Sequence, residues 1–529
     1  MPSSHPTHRI KSFIRLLCLI LGLGSASFSF IVQDSFSAEP TILKPNAFAH
    51  HIERFNTMEA ETVVNHISNA QSWDWLQRNI PLFECPDRDV EEIYYFRWWS
   101  FRKHIKQTPK GFVITEFLLP VSHAGEFNTI SCATSLHLAE GRWLHDDRYL
   151  NDYTKFWLRS DKGKPAKKFH SFSSWFAAAT WDRYLVNADK KFLIKLLPDL
   201  VADYRAWETE RQLTNGLYWQ YDVRDAMEES ISGSRTNKNI RPTINSYMFG
   251  NAQAIANLAR LANKQKIANE FTAKAAALKK LAQENLWDTQ AQFFKVRLEN
   301  GVLSDAREEI GFIPWMFALP DSGKGYEAAW AQLIDSQGFS APFGITTAER
   351  RHPEFRSHGV GTCEWDGAVW PFATSQTLYA LANVLRDYPQ NIVAPQDYFN
   401  NFLTYTRSQR ANGQPYIGEY LDEVTGDWIN GKNDRSRYYN HSVYADLLIT
   451  GVIGLRPRAD DIVEISPLLP VDTWDWFCLD NVKYRGRMLT VIWDKDGSRY
   501  ERGAGLRVLV SGNEIARSEK LERITGKLP

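Results

Sequence analysis

A long stretch of apolar residues at helical spacing limits most strongly how this chain can fold. Between about residues 125 and 455, apolar side chains return every three or four positions, and Gly, Pro or Asn separates one run from the next. An amphipathic helix of moderate length buries its apolar face against a neighbour. The pattern therefore predicts many helices packed in pairs. The clearest runs are Phe192, Leu196, Leu200, Tyr204 and Trp207; Ile267, Phe271, Ala275, Leu278 and Leu281; and Leu378, Leu381 and Leu385.

The pattern changes near the C-terminus. Short segments typical of strands occur at 462–465, 482–484, 488–493 and 506–510, with a hairpin turn at 495–498. A chain of 529 residues also exceeds the size of one typical core. We therefore expect a mainly α protein with a small C-terminal β domain. The expected domains are residues 39–124, a segment joining the helical domain; residues 125–455, the helical domain; and residues 456–529, the β domain.

The first residues have the pattern of an export signal. Basic residues precede an apolar run over 16–23, and small residues follow it. A basic start, a short apolar core and a small-residue exit are typical of a cleaved signal peptide. We expect residues 1–38 to be that peptide, which predicts a periplasmic or secreted protein without stable membrane insertion. An uncleaved anchor is the alternative, because apolar residues continue to position 32.

Charge and aromatic content bear on the kind of ligand. The 62 basic and 62 acidic residues cancel, and no basic stripe suggests a nucleic-acid partner. The 19 Trp, 21 Tyr and 30 Phe supply flat rings on which the C–H faces of sugars can stack, although most such rings belong to a core. Neither a metal nor a cofactor is expected, because the 13 histidines include no HExxH-type pair and the cysteines after the signal are scattered.

Carboxylates in aromatic, Gly-containing segments are the candidates for chemistry. Cleavage of a glycosidic bond needs one carboxyl group to protonate the leaving oxygen and a second to activate water or attack the anomeric carbon. Segments 218–233, 362–371 and 416–428 carry such groups between predicted helices, although solvated loops and helix caps also carry carboxylates. The candidate residues are Asp225 and Glu228 in the first segment, Glu364 and Asp366 in the second, and Glu419 in the third.

Four short motifs in and beside these segments resemble one enzyme family. Residues 226–230 are similar to a Gly-Met/Trp-Asp-x-Ser loop, and residues 244–248 to a Leu-Asn-Ser-Tyr-Met helix start. Residues 365–371 fit Trp-x-Gly-x-Val-Trp-Pro, and residues 419–426 fit a Glu-x-Tyr/Tyr-x-x-x-Thr-Gly segment. These motifs resemble those of the six-hairpin glycosidases, a group that includes trehalase, processing α-glucosidase and mannosylglycerate hydrolase.

The resemblance implies an (α/α)6 toroid and assigns the catalytic pair. It places the general acid at Glu228 and the general base at Glu419. Two departures from the family pattern are Glu rather than Asp at the acid position and Ala226 in place of Gly. Asp225 is therefore a rival acid, and Glu364 and Asp366 are further alternatives.

Candidate substrate-binding residues come from the same motifs and from a cationic, aromatic stretch at 96–102. Packing of that stretch within a helix is the alternative interpretation, and a purely structural histidine is the alternative for His441. The candidates are Arg97, Trp98, Arg102, Asn245, Tyr247, Trp365, Trp370, Tyr420 and His441.

These observations predict an exported, exo-acting, inverting glycoside hydrolase that cleaves O-glycosidic bonds in oligo- or polysaccharides. Its expected partner is a carbohydrate substrate. One alternative is a toroidal polysaccharide lyase, for which Tyr439, Asn440 and His441 would supply the site. The other is a carbohydrate-binding protein without catalytic activity.

Overall fold

Helices follow the predicted periodic runs through most of the chain. The computed structural model describes residues 42–358, 363–429 and 434–529, so the predicted signal peptide lies outside the described residues. The runs around Leu196, Leu278 and Leu381 each form a helix, as predicted. The α-helices are α1 (Ala49–Thr57), α2 (Ser72–Asn79), α3 (Arg88–His104), α4 (Thr134–Gly141), α5 (Arg148–Arg159), α6 (Phe176–Asn187), α7 (Lys190–Arg211), α8 (Pro242–Leu261), α9 (Gln265–Leu286), α10 (Ile313–Met316), α11 (Ala331–Ile334), α12 (Pro371–Asp387), α13 (Pro395–Ser408) and α14 (Ala445–Leu447).

Alternate helices form a closed inner ring. Helix α4 contacts α6, α6 contacts α8, α8 contacts α10, α10 contacts α12, α12 contacts α14, and α14 returns to α4. Outer helices pack on this ring, with α7 on α6 and α8, α9 on α8, and α13 on α12. This arrangement confirms the predicted mainly α fold with an (α/α)6 toroid.

Buried polar side chains fix where several inner helices begin. The Asn251 side chain on α8 accepts hydrogen bonds from the backbone N–H groups of Ala177 and Ala178, which open α6. The Glu140 carboxylate on α4 accepts from three backbone N–H groups at the start of α14. Both contacts satisfy helix donors that have no partner within their own helix, so neighbouring helices hold each other's first turns in position.

The C-terminal part forms antiparallel sheets, as predicted. One sheet has the order β1-β12-β13-β14-β15 and a second has the order β10-β11-β16. Strand β1 comes from the segment before the toroid and pairs with β12. The strands are β1 (Leu82–Glu84), β2 (Ile105–Thr108), β3 (Gly111–Ile114), β4 (Trp287–Asp288), β5 (Phe293–Phe294), β6 (Ser340–Ala341), β7 (Gly344–Ile345), β8 (Arg410–Ala411), β9 (Gln414–Pro415), β10 (Leu455–Arg456), β11 (Ile462–Ile465), β12 (Trp476–Tyr484), β13 (Arg487–Asp494), β14 (Gly505–Val510), β15 (Asn513–Ser518) and β16 (Ile524–Lys527).

Within the described ranges, no helix has both the length and the apolar character needed to cross a bilayer. The cysteines in those ranges, Cys85, Cys132, Cys363 and Cys478, are free thiols.

Candidate active site

A cavity of about 570 Å³ lies among the segments that lead into the inner helices. Residues before α4, α6, α8, α12 and α14 all contribute to its wall. The N-terminal ends of these helices carry partial positive charge, which favours carboxylates at this end of the ring. The carboxyl groups that line the cavity are Glu116, Glu228 and Glu419.

Glu228 lies in the loop that precedes α8. The loop turns through Ala226 and Glu229, whose φ angles are 58° and 68°. The Asp222 carboxylate accepts hydrogen bonds from the backbone N–H groups of Val223 and Glu229, which closes the loop around Glu228. Burial, with smaller contributions from the carboxylates of Asp222 and Glu419, raises the pKa of Glu228 to about 7. Glu228 therefore keeps its proton up to about neutral pH.

Glu419 also lines the cavity and lies in the segment that follows β9. A guanidinium nitrogen of Arg435 lies 3.4 Å from its carboxylate, and the Ser436 hydroxyl donates to the same oxygen at 3.2 Å. A nearby cation and a hydroxyl donor both favour the ionised form of a carboxyl group. The side chain is 8% exposed, at the cavity wall.

Glu116 is a third carboxyl group in the same cavity. It follows β3 and is 3% exposed. The Tyr439 hydroxyl donates to one of its oxygens at 2.5 Å, and the Cys132 thiol donates to the other at 3.1 Å. Burial raises the pKa of Glu116 to about 7, against the effect of these two hydrogen bonds.

Stacked aromatic rings form the apolar wall. Trp365 and Trp370 both line the cavity, and their ring centroids are 4.4 Å apart. Tyr420 stacks behind Trp370 with centroids 4.6 Å apart and an angle of 12° between the rings. The stack holds flat, apolar surface in the cavity, which suits the C–H face of a sugar ring.

The outer edge of the cavity carries cationic groups. Lys168 and Arg224 are exposed cations that contribute to its lining. His123 is exposed beside them, and partial burial together with Arg435 and Lys168 lowers its pKa. The Lys168 ammonium donates to the carbonyls of His123 and Ala124 at 2.8 and 2.9 Å, which fixes its position at this edge. The cavity thus combines buried acids in its walls with exposed cations at its opening.

Comparison with known families identifies the chain. The family described as "Mannosylglycerate hydrolase MGH1-like glycoside hydrolase domain" matches residues 126–442, more than half of the sequence. The chain belongs to this family. It is a glycoside hydrolase of the six-hairpin type, as the sequence motifs predicted. Residues 455–517 match the C-terminal domain of glycosyl hydrolase family 65, which covers most of the β region.

Several solved structures are similar in fold to this MGH1-like protein. A protein named "Sialidase" is 52% identical and superposes with a TM-score of 0.90 over 92% of the chain. The chain spans only 45% of that protein's length. The mannosylglycerate hydrolase of Thermus thermophilus is 13% identical, with a TM-score of 0.50 over 68% of this chain and 98% of its own. The rhamnosidase of a Bacillus species is 11% identical, with a TM-score of 0.57 over 83% of this chain and 42% of its own. The last two similarities concern the fold alone.

The structure brings five of the predicted site residues together in the cavity of the MGH1-like hydrolase: Glu228, Glu419, Trp365, Trp370 and His441. The His441 ring lies 4.2 Å from the Tyr439 ring, and burial together with Arg97 lowers its pKa well below the usual range. His441 is therefore a neutral group in the cavity wall.

The alternative catalytic carboxylates have structural partners outside the cavity lining. Asp225 forms a 2.7 Å ion pair with Arg241, and both side chains are fully buried. Glu364 forms an ion pair with Arg356 and is 1% exposed. Asp366 accepts from the backbone and ring N–H groups of His358. None of the three acids lines the cavity, and each has a charged or hydrogen-bonding partner elsewhere, which corrects their predicted placement at the site.

Three predicted substrate-binding residues lie behind the cavity wall. Asn245 joins the start of the Glu228 loop to α8 through hydrogen bonds with Tyr218. The Tyr247 hydroxyl donates to Gln376 at 2.6 Å, between inner helices. Tyr420 supports Trp370 from behind. We therefore correct the prediction: Asn245, Tyr247 and Tyr420 position the wall and do not line it.

The cationic, aromatic stretch of α3 is buried, which corrects the remaining substrate-binding predictions. Arg97 donates to Tyr405, Gln409 and Ser442 beneath the cavity. Trp98 is 0% exposed and packs on Phe101. The guanidinium of Arg102 donates to the Ile67 carbonyl at 2.7 Å. The packing interpretation is therefore the correct one for Arg97, Trp98 and Arg102.

Sequence reasoning missed Glu116, Cys132 and the three residues at the cavity edge. Glu116 is the one charged residue in the mostly apolar run 112–119, and that is the signal that could have indicated it. Across the described ranges, no group of three or more His, Cys, Asp or Glu residues is arranged to hold a metal ion.

Proposed function

We propose that this MGH1-like protein is an exported, exo-acting, inverting glycoside hydrolase. Glu228 protonates the glycosidic oxygen, and Glu419 removes a proton from the attacking water. The observation that carries the proposal is that these two carboxyl groups line one cavity and have different neighbours. Burial keeps the proton on Glu228, whereas Arg435 and Ser436 favour the charge on Glu419.

Exo action is proposed from the residues that line the cavity. Its inner wall contains buried groups, including Glu116, Trp370 and His441, so it suits the end of a glycan better than the middle. Trp365 and Tyr420 stack on Trp370, so a terminal sugar would stack on the outer face of Trp365, with its scissile bond toward the carboxyl groups.

We propose a terminal sialic acid as the sugar that is released. The support is the relative named "Sialidase", which is 52% identical over 92% of this chain. Sialic acid carries a carboxylate, and Lys168, Arg224 and Arg435 supply cationic groups to the cavity lining. Opposite charges at a binding site favour the correct ligand and speed its association.

Export is proposed from the pattern of residues 1–38, with a basic start, a short apolar core and small residues at its end. N-terminal sequencing of the protein recovered from the periplasm or medium tests it. Removal of the first 26 to 38 residues is expected, and an intact N-terminus held in the membrane would contradict export.

A substrate screen tests the function itself. The full chain is incubated with 4-methylumbelliferyl N-acetylneuraminide, sialyllactose and a set of neutral aryl glycosides, and released sugars are measured. We expect release of sialic acid from chain ends and little release of neutral sugars. An unsaturated product absorbing in the near ultraviolet would favour a lyase, and binding without turnover would favour a carbohydrate-binding protein.

A further inference from the structure

We propose that Tyr439 is a further catalytic residue and that Glu116 is its positioning residue. The Tyr439 hydroxyl, polarised by the Glu116 carboxylate, stabilises the positive charge that develops on the sugar ring in the transition state. No covalent bond forms, and the phenol keeps its proton. The inference rests on the proposed hydrolysis at this cavity and adds a function that neither Glu228 nor Glu419 performs.

The hydrogen-bond geometry fixes the Tyr439 hydroxyl in one orientation. The hydroxyl donates to one Glu116 oxygen at 2.5 Å, and the Cys132 thiol occupies the other at 3.1 Å. Both Tyr439 and Glu116 line the cavity and are 5% and 3% exposed. With both carboxylate oxygens engaged, Glu116 cannot rotate without losing a contact, so the lone pairs of the phenol oxygen keep a fixed direction.

Backbone contacts hold the pair in place before substrate arrives. The Asn440 N–H donates to the Glu116 carbonyl at 2.9 Å, and the Asn440 amide side chain donates to the Thr115 carbonyl at 3.1 Å. The Tyr439 N–H donates to the Ile417 carbonyl at 3.1 Å, two residues before Glu419. Three distant segments of the chain are therefore joined at this point. A preorganised dipole stabilises transition-state charge without the cost of reorienting solvent.

The electrostatic setting suits a developing cation. Glycoside hydrolysis passes through an oxocarbenium-like transition state, with positive charge on the ring. A phenol whose proton is held by a carboxylate carries added negative density on its oxygen, and the effect is stronger in a buried site. Burial raises the pKa of Tyr439 far above its usual range, so the hydroxyl remains protonated at working pH.

The charge of Glu116 gives the pair a pH signature. Its pKa is about 7, because burial, with a smaller contribution from Glu419, raises it more than Tyr439, Cys132 and Arg435 lower it. These are the groups that face Glu116 from the neighbouring segments. Below about pH 7, protonation removes the charge that polarises Tyr439. In the wild-type protein, kcat should therefore decline toward acid pH from about neutrality.

A double-mutant cycle tests the pair. We expect Tyr439→Phe and Glu116→Gln each to lower kcat by about 10²–10³-fold with KM changed by less than about 5-fold, the scale of losing one charge-stabilising group. The kcat of the double variant should lie within about 3-fold of the kcat of the less active single variant, because Glu116 acts through Tyr439. Cys132→Ala, the matched control at the other Glu116 oxygen, should lose less than about 10-fold.

Two further readouts separate this role from a structural one. The kcat loss of each variant should be similar for aryl and alkyl leaving groups, since positive charge develops on the sugar ring with both. In the residual activity of Glu116→Gln, the decline in kcat near pH 7 should move to lower pH. Three results would overturn the inference while leaving the proposed function intact. They are kcat losses that multiply in the double variant, an acid limb that stays at the same pH in Glu116→Gln, and a kcat of Tyr439→Phe within about 5-fold of wild type. A wild-type protein inactive on all glycosides would instead refute the proposed function, and this inference with it.

Discussion

The Glu228 loop and the Glu419 segment bring the same kind of carboxyl group to one cavity and surround it with different neighbours. Around Glu228 the neighbouring charges are mainly carboxylates, and burial raises its pKa to about 7. Glu419 has the Arg435 guanidinium and the Ser436 hydroxyl within 3.4 Å. The comparison shows how two residues of one type can be given the different proton affinities that the proposed acid and the proposed base require.

The largest effect is expected when the base is removed. Glu419→Gln keeps the size of the side chain and removes its ability to accept a proton, so kcat should fall by about 10³–10⁴-fold for every leaving group. Steady-state kinetics and circular dichroism measure activity and folding. Asp427→Asn, an exposed carboxylate of the same segment, is the matched control and should change kcat by less than about 2-fold. Activity of Glu419→Gln near the wild-type level would remove the distinction between the two carboxyls.

A leaving-group series sharpens the comparison from the acid side. Glu228→Gln cannot donate a proton, so hydrolysis of alkyl glycosides should slow by about 10²–10³-fold. Substrates with 4-methylumbelliferyl or nitrophenyl leaving groups, which depart as stable anions, should lose less than about 10-fold. Glu229→Gln, the neighbouring carboxyl outside the cavity lining, serves as control. Equal losses across the series would show that Glu228 is not the proton donor.

The pH dependence of the free energy of unfolding tests the burial of Glu228 without any substrate. Its folded pKa of about 7 lies above the ordinary 4.5, so its contribution to stability is present below about pH 4.5 and is lost as pH rises through 7. Glu228→Gln removes the buried charge and should raise the free energy of unfolding by about 1–3 kcal/mol at pH 8.5 and by almost nothing at pH 4.5. Urea unfolding at the two pH values measures it. A gain at the acid pH alone would contradict the environment described for Glu228.

The smallest effect concerns the backbone of the Glu228 loop. Ala226 has a φ of 58°, in the left-handed region where a Cβ atom is strained. Ala226→Gly, which restores the residue usual in the family motif, should stabilise the protein by up to about 1 kcal/mol. Ala178→Gly within α6 is the contrasting control, because glycine there should destabilise by about 1 kcal/mol. Destabilisation by Ala226→Gly would mean that the Ala226 methyl group packs more favourably than its strain costs.

The helical part of the fold was predictable because its periodicity is local. Runs such as that of α7 bury the residues that repeat at helical spacing. Closure of the ring through α14 and α4 depends on contacts between segments some 300 residues apart, and the family resemblance was needed to predict it. The pairing of β1 with β12 could not be predicted, since a three-residue strand has no periodic signal of its own.

The candidate site was predictable where chemistry lies within a short motif. Glu228 and Glu419 each belong to a recognisable segment, and both line the cavity. Glu116 has no such motif, because Tyr439 and Cys132 reach it from distant parts of the chain. The Arg97 stretch was misassigned because α3 is buried on nearly all sides, so its sequence does not show which face meets the cavity.

The stereochemistry of the product tests the division of roles between Glu228 and Glu419 most directly. Proton NMR of the first turnovers, recorded before the released sugar mutarotates, identifies the anomer formed. Water activated by Glu419 attacks from the face opposite to the leaving group, so the first sugar should have the inverted anomeric configuration. A first product with retained configuration would require a covalent intermediate or a different base, and would contradict the assignment.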